Sequence, residues 1–406
     1  MRATLQGLQG VPGIGHHEGM RLISDAERRA RIGQRHAIAP GLRATGPEAA
    51  TRAMTVLHST EPATVHLSLF ARVDGLTHDD VDRALHTDRT LVKQLAMRRT
   101  LFVFPRDLLP AAWGSASARV ADTEGRRVAQ DIERAGVAAD GVAWLDEARS
   151  AVLALLGETP TGRTALELRE AIAHIDVKID VTAGSTWGAG RVLTHLGATG
   201  DLVRGVNTLH WRLSRPRWTR MEDWLDVVPP RLEAREGYAE LVRRWLATFG
   251  PGAVEDVQWW LGGTKAAVRQ ALVDLDAVEV ALEEGGAGWV LPDDIDEVSA
   301  AEPWAALLPV LDPTVMGWKH RGFYLGSHGP ALFDRNGNAG TTAWWDGRVV
   351  GCWVQDADGV VEVRLLEDCA REARQALDVE AARLTEWLEG RRVSTVYPSP
   401  AMKEQR

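Results

Sequence analysis

The sequence predicts an α+β fold that is mainly helical, because capped helical segments recur in groups and each group ends in a short strand or hairpin. From Trp304 onward, strand-like segments replace the helices. A chain of 406 residues is also too long for one hydrophobic core. We therefore expect a disordered extension over residues 1–19, repeated units over 20–140, 141–235 and 236–302, and a β-rich region with a terminal helix over 303–400.

The first unit is predicted to contain three helices followed by a strand. Ser24 and Glu27 have the spacing of a capping box, which predicts a helix start. Gly46-Pro47-Glu48 begins a second helix that is predicted to run to Val56, and a third helix with an acidic first turn follows. Residues 101–105 form a short aromatic and β-branched strand. This order of elements is typical of a winged helix module.

The second and third units repeat this order. A helix over residues 187–195 is followed by two strands, over 202–205 and 208–213, which form a second wing. In the third unit, Gly262-Gly263-Thr264 separates two helices and a hairpin follows, which is the helix-turn-helix arrangement. The repetition indicates internal duplication of one fold, although no strict sequence period is present.

The last region is predicted to consist of strands and turns before its terminal helix. Residues 320–325 and 349–354 are two of its apolar strand segments. Asn336-Gly337 and Asp346-Gly347 are dipeptides typical of hairpin turns. The terminal helix is predicted over residues 379–390.

Composition narrows the class of protein. No apolar run of about 20 residues occurs, so no membrane span is expected. Cys352 and Cys369 form neither a metal-ligand spacing nor a disulfide framework, which indicates a reducing cytoplasm. No nucleotide or metal motif occurs, so we expect no cofactor.

The net charge is −9, yet residues 21–120 carry five excess positive charges and residues 254–302 ten excess negative charges. An anionic ligand is therefore expected at the first unit, with the third unit as a scaffold.

The stretch Leu57-His58-Ser59-Thr60-Glu61-Pro62 is the best candidate for chemistry. The ring of Pro62 disfavours helix at Glu61, so the chain is expected to turn here. His58 can serve as a base or position a water, with Thr60 and Glu61 assisting. The alternative is structural, in which His58 packs under Pro62 and hydrogen-bonds a helix end.

Arginines near the first strand are candidates for phosphate contacts. Arg98 and Arg99 precede that strand, and we expect one of them to point inward and at least one to contact DNA. The alternative is an ion pair with Asp79, Asp80 or Asp82.

The second wing carries the strongest compositional signal for nucleic acid. Between residues 202 and 221 arginines alternate with tryptophans and no carboxylate occurs. The alternative is that the tryptophans are core anchors and the arginines are solvated or paired with Glu222 and Asp223. The DNA-binding candidates here are Arg204, Arg212, Arg215, Arg217 and Trp218.

The last region adds three candidates at hairpin tips. Arg335, Asn336 and Arg348 can enter a minor groove or wedge beside a lesion, and the alternative is plain turn chemistry. Asp312, before Pro313, is expected to support the site by buttressing the turn or Arg321.

Four of these segments together resemble a family of winged helix DNA-binding proteins, which includes bacterial glycosylases for bulky alkylated and interstrand-crosslinked bases. The likeness runs from about residue 20 to residue 400, and its carriers are Leu57-His58-Ser59-Thr60-Glu61-Pro62, Met97-Arg98-Arg99-Thr100-Leu101, Leu308-Pro309-Val310-Leu311-Asp312-Pro313 and Asp346-Gly347-Arg348-Val349-Val350-Gly351. It implies three tandem winged helix units arranged as a C, with duplex DNA in the concave channel. Asp312 resembles an aspartate of the family. The family looks as if it uses glutamine and then glutamine or aspartate in the central turn, where this chain has His58 and Thr60.

The resemblance implies a monomeric, monofunctional and metal-free DNA-repair glycosylase that hydrolyses the N-glycosidic bond of bulky alkylated or crosslinked purines. A purine alkylated at N7 or N3 already carries positive charge, so its departure needs no strong acid. The alternative is a non-catalytic winged helix DNA-binding protein, either a lesion sensor or a transcriptional regulator.

Overall fold

The computed structural model describes residues 20–181 and 184–403, so the extension predicted over residues 1–19 lies outside the described residues. The helices are α1 Asp25–Arg35, α2 Pro47–Ala53, α3 Pro62–Phe70, α4 His78–Asp82, α5 Leu109–Gly114, α6 Ala116–Arg134, α7 Gly141–Gly157, α8 Ala165–Ala171, α9 Gly188–Thr199, α10 Met221–Trp224, α11 Ala234–Phe249, α12 Val254–Leu261, α13 Lys265–Asp274, α14 Pro313–Met316, α15 Gly322–Leu325, α16 Gly329–Leu332, α17 Arg371–Leu388 and α18 Pro400–Lys403. The strands are β1 Leu22–Ile23, β2 Leu57–His58, β3 Leu91–Ala96, β4 Thr100–Pro105, β5 Lys178–Val181, β6 Gly184–Trp187, β7 Leu202–Asn207, β8 Pro216–Arg220, β9 Val278–Leu282, β10 Ala287–Val290, β11 Ala305–Leu308, β12 Thr342–Trp345, β13 Arg348–Gln355 and β14 Val361–Leu365.

The first unit packs its helices around an antiparallel sheet in the order β2-β4-β3. The predicted start of α1 is confirmed, because the Ser24 side chain accepts a hydrogen bond from the Glu27 backbone N–H. The helix predicted to reach Val56 is wrong beyond Ala53. Thr55 takes a positive φ of 63°, which ends the helix and directs the chain into β2.

Helix α6 lies before the predicted boundary at residue 141 but packs against α7 and α9. We therefore count it with the second unit, which contains the helices α6 to α9 and a wing made of β7 and β8. The predicted wing strand over residues 208–213 is wrong, since the returning strand is β8 and residues 208–215 form the connecting loop. The Asn207 side chain causes this, because its amide donates to the carbonyls of Leu209 and Leu213 and its oxygen accepts from the Arg215 N–H. These bonds shape the loop, and they occupy backbone carbonyls and an N–H group that a longer strand would need for pairing.

The third unit has the predicted order of α11, α12, α13 and the hairpin β9-β10. Gly262 ends α12 with a φ of 62°, and the Thr264 side chain caps α13. Strand β1 pairs with β9 in parallel, so the first strand of the described chain belongs to the sheet of the third unit.

The last region is built on the antiparallel sheet β11-β12-β13-β14. The predicted turn at Asp346-Gly347 is confirmed between β12 and β13, with positive φ at both residues. The strand predicted over residues 320–325 is wrong, because this segment forms α15. Its apolar residues are buried at consecutive positions. A short consecutive apolar run is compatible with either a buried helix or a buried strand, so the sequence pattern alone does not decide between them.

Two large hydrophobic cores hold most of these elements, and two small clusters of buried residues add to them. The larger core joins the first unit, the third unit and the last region, with Phe102, Trp245 and Trp344 among its fully buried side chains. The smaller core lies within the second unit and includes Val152 and Leu193. Strand β2 and helix α3 belong to the larger core, so the turn between them is supported from several directions. None of the helices in the described part of the chain combines the length and apolar character needed to cross a membrane.

Candidate active site

The candidate catalytic turn joins a strand to a helix. In β2, Leu57 lies opposite Val103 and His58 opposite Phe102. The Ser59 N–H then donates to the Leu101 carbonyl at 2.9 Å, which extends the pairing by one residue. Thr60 and Glu61 follow, and α3 begins at Pro62, whose fixed φ suits the first position of a helix. The predicted turn is therefore present.

His58 is a buried, neutral imidazole. Its side chain packs on Phe102 with ring centroids 4.6 Å apart, and only 4% of the residue is exposed. Burial, together with the Arg98 charge, lowers the pKa of His58 to about 3, and Asp312 opposes both. Within the described residues Nδ1 accepts no hydrogen bond, so the helix-end bond of the structural alternative is not made. One ring nitrogen is thus available as a hydrogen-bond acceptor.

Glu61 is tied to residues 391–399, which we call the C-terminal segment. Its Oε1 accepts hydrogen bonds from the Val396 N–H at 2.6 Å and the Thr395 hydroxyl at 2.9 Å. Burial raises the pKa of Glu61, while these two bonds lower it and the net shift is upward. Both hydrogen bonds of Glu61 are made with the C-terminal segment and not with the His58 imidazole. Thr60, in contrast, is exposed to solvent.

Asp312 binds the end of α3, the helix that follows the candidate catalytic turn. The carboxylate is fully buried, and its two oxygens accept from the Arg72 guanidinium at 2.7 and 2.9 Å. Oδ2 also accepts from the Ser68 hydroxyl and Oδ1 from the Thr314 N–H. The predicted supporting role for Asp312 agrees with this geometry, but the partner is Arg72 and not Arg321. Sequence reasoning missed Arg72. The one feature that could have pointed to it is a single charged residue in the otherwise apolar segment that follows the turn.

Arg98 and Arg99 form the tip of the β3-β4 hairpin. Both adopt positive φ, 55° and 60°, which is costly for residues other than glycine. Arg98 points inward as expected for one of the pair, with its guanidinium 4.1 Å from the Trp259 ring centroid. Burial, with the Arg321 charge, lowers the pKa of Arg98 to about 10. Arg99 is exposed and pairs with Glu124 at 2.8 Å, and not with Asp79, Asp80 or Asp82 as the alternative had it.

Two candidates in the second wing are structural. Trp218 is 8% exposed and belongs to the core of the second unit, so it offers no stacking face and the core-anchor alternative is correct. Arg217 donates to the Gly162 carbonyl at 2.6 and 3.0 Å. The Arg204 guanidinium lies 5.3 Å from the Trp218 ring centroid, and burial lowers the pKa of Arg204.

The loop of the wing lies beside the catalytic turn. Trp211 stacks on His78 with ring centroids 4.6 Å apart, which fixes the loop against α4. Arg212 donates to the Arg392 carbonyl at 2.6 Å, so the loop also contacts the C-terminal segment. Arg215 is exposed, and its guanidinium makes no hydrogen bond or ion pair to any residue that the structure describes.

The hairpin tips of the last region are exposed. Asn336 donates its backbone N–H to Asp334 Oδ1 at 2.8 Å, as in ordinary turns, and Arg335 next to it is exposed. Arg348 is exposed and lies 3.9 Å from a Glu367 oxygen. Across the described ranges no group of three or more His, Cys, Asp or Glu side chains is arranged to hold a metal ion.

Comparison with known proteins gives a family match and similar solved structures. The family described as DNA glycosylase AlkZ-like matches residues 51–387. Among solved structures, the Streptomyces sahachiroi DNA glycosylase AlkZ is similar, with a TM-score of 0.71 and 21% identity over 90% of this chain and 98% of that chain. At this identity the likeness shows the fold. No curated protein matches the sequence.

Proposed function

The chain belongs to the AlkZ-like DNA glycosylase family, as its sequence resemblance implied, and on this premise we propose that it hydrolyses the N-glycosidic bond of bulky alkylated or crosslinked purines in duplex DNA. The observation that carries the proposal is the His58 imidazole. It is neutral, has an acceptor nitrogen available among the described residues, and occupies a polar position of the turn that identifies the family.

The chemistry follows from the charge of the substrate. In an alkylated purine the glycosidic electron pair moves to a ring that already carries positive charge, and an oxocarbenium-like sugar remains. A water then adds to C1′ and loses its proton. Because the pKa of His58 is about 3, the imidazole aims this water through a hydrogen bond and does not retain the proton at neutral pH. The exposed Thr60 hydroxyl provides a second partner for the water.

We further propose that the three tandem units are winged helix units that form a C, and that DNA lies in its concave channel. Contacts between the second wing and the turn support this path, since Pro62 and Asn207 line one cavity. In this arrangement Arg212, Arg215 and the hairpin tips of the last region contact phosphates. Arg98 instead packs on Trp259 and stabilises the β3-β4 hairpin. The protein would act as a monomer in the cytoplasm.

The test is release of 7-methylguanine and of a bulkier N7 adduct from duplex DNA. His58→Ala should lower the release rate by roughly 10²-fold or more, because the hydrogen-bond partner that positions the water is lost. His58→Gln, which restores the family's amide, should retain activity, and Arg134→Ala, at an exposed arginine of α6 outside the proposed DNA contacts, serves as the control. If no adduct is released while DNA binding persists, the non-catalytic DNA-binding alternative is correct.

A further inference from the structure

A lysine lies inside a cavity between the first unit and the second wing. Only five of the 47 basic residues are lysines, and Lys93 is the one on strand β3. It lines a cavity of about 90 Å³ together with Pro62, His66, His86 and Asn207. The cavity therefore borders both the candidate catalytic turn and the wing that we assign to DNA.

Lys93 is poorly placed for a structural role. Among the described residues no carboxylate lies within ion-pair distance of its ammonium group, and the charges that act on its pKa are those of Arg204 and Asp82. Burial, together with the Arg204 charge, lowers the pKa of Lys93 to about 8, and Asp82 opposes both. An enclosed ammonium without a partner is costly, so the neutral amine is accessible near neutral pH. Such an amine is a nucleophile toward carbonyl carbons.

The same cavity contains groups that can move a proton. Asp82 Oδ1 lies 3.6 Å from His66 Nε2 and 3.9 Å from His86 Nε2. His66 is only 3% exposed, and its Nε2 makes no hydrogen bond within the described residues. Burial lowers the pKa of His86 to about 4, so that imidazole is neutral at physiological pH. The lining thus offers a carboxylate, the neutral His86 imidazole and the His66 imidazole to a polar ligand.

We propose that this cavity takes the deoxyribose aldehyde of an abasic site in DNA and that the Lys93 amine attacks C1′, giving the protein lyase activity on abasic DNA. This second activity departs from the monofunctional enzyme that the sequence predicted. It does not require the glycosylase step, because abasic DNA can come from any source.

The step balances without an oxidant or reductant. The neutral Nζ adds to the C1′ aldehyde and water leaves, which gives an imine. Asp82 or a neighbouring imidazole removes a proton from C2′, the electron pair forms the C2′–C3′ double bond, and the C3′–O bond breaks with the 3′ phosphate as leaving group. Water then hydrolyses the imine, which restores the lysine and releases the cleaved strand.

The sheet register separates this cavity from His58. Lys93 and Leu57 both lie opposite Val103, so their side chains share one face of the sheet. His58 lies opposite Phe102, one residue further, and its side chain is on the other face. The sugar therefore enters the lysine cavity from the side of the wing, and the two sites act on separate encounters with DNA.

The experiment uses a duplex with one abasic site and sodium borohydride, which reduces an imine to a stable covalent link. The full-length protein should be trapped on the DNA, and peptide mapping should place the link on Lys93. Lys93→Arg, which keeps the charge, and Lys93→Met, which keeps the size, should each lower trapping and strand nicking by roughly 10²-fold or more. Lys319→Met, at an exposed lysine, is the matched control and should trap as well as wild type.

Three outcomes overturn the proposal: no trapping by wild type, equal trapping by Lys93→Arg, or a link that maps to another amine. Binding of each variant to the abasic duplex, measured by fluorescence anisotropy, shows whether the variant is folded. Release of alkylated purines is measured separately from intact DNA. Failure of the glycosylase proposal and failure of the lyase proposal are thus distinguishable.

Discussion

Replacing Asp312 by asparagine should destabilise the protein by about 3–5 kcal/mol at neutral pH, which is typical for breaking one side of a buried ion pair. Asp312 and Arg72 are both fully buried. The guanidinium uses all five N–H groups, on the Asp312 carboxylate, the Thr314 hydroxyl and nearby backbone carbonyls. An amide at position 312 leaves that positive charge without a counter-charge and turns one acceptor into a donor that faces other donors.

The loss should depend on pH in a defined direction. Burial raises the pKa of Asp312, but Arg72 and the hydrogen bonds from Ser68 and Thr314 lower it more, so the folded pKa lies below the ordinary value. A carboxyl group with a depressed folded pKa stabilises the protein above its unfolded pKa of about 3.9, and this stabilisation is lost as pH falls through the folded pKa. The difference between wild type and Asp312→Asn should therefore be full above about pH 5 and should shrink below about pH 4.

Urea unfolding followed by tryptophan fluorescence measures this difference at pH 7 and pH 3.5. The double variant Arg72→Met with Asp312→Leu removes both charges, and it should recover most of the stability that either single variant loses. Arg83→Ala breaks an exposed pair with Asp80 and should cost less than about 1 kcal/mol. The reasoning fails if Asp312→Asn costs as little as that control, or if the double variant loses the sum of the two single losses.

Three further predictions concern the turn, the wing and the third unit. Base release should show no inflection near pH 6.5 caused by His58, because a pKa of about 3 keeps the imidazole neutral from pH 5.5 to 8; a pH–rate profile in wild type and His58→Gln checks this. Arg215→Ala should reduce the slope of log K against log salt by about 1, since an exposed arginine can contact a phosphate. Arg217→Ala should leave that slope unchanged, because its guanidinium is held by a carbonyl of the protein. Gly262→Ala should cost about 1–2 kcal/mol in thermal unfolding, because φ is +62° and the new Cβ would lie 2.9 Å from Arg98 Cγ; unchanged stability would contradict this packing.

Helix starts could be predicted from the sequence because their signals are local. Ser24, Thr77, Thr164 and Thr264 each cap the helix that follows them, and each bond spans only a few residues. Strand β2 could not be predicted in the same way. It has two residues, and its partners in β4 lie more than forty positions away in the chain. A pairing of that kind is decided by tertiary packing and leaves no periodic pattern.

The candidate site shows the same limit at the level of single side chains. Sequence spacing brought His58 and Glu61 together, but the strand-to-helix turn sends one side chain into the core and the other toward the C-terminal segment. The alternation of arginine and tryptophan in the wing indicated a stacking surface, whereas Trp218 faces the core of its own unit. Composition identifies residue types, and only the fold decides which face each of them occupies.

The uneven charge along the chain has a different meaning once the fold is known. The first unit carries the positive excess and the third unit the negative excess, and the two meet in space: Arg31 and Arg35 of α1 both contact Asp294, and Glu283 accepts from the N–H of Asp25. Part of the positive charge of the first unit therefore holds the two units together. We expect phosphate contacts from a few exposed arginines, such as Arg215. If about four phosphates are contacted, the slope of log K against log salt should be near −4, so loss of affinity with salt should be moderate. Under the proposed function, we expect such moderate phosphate binding to allow sliding along DNA and to leave recognition of the damaged base to the turn.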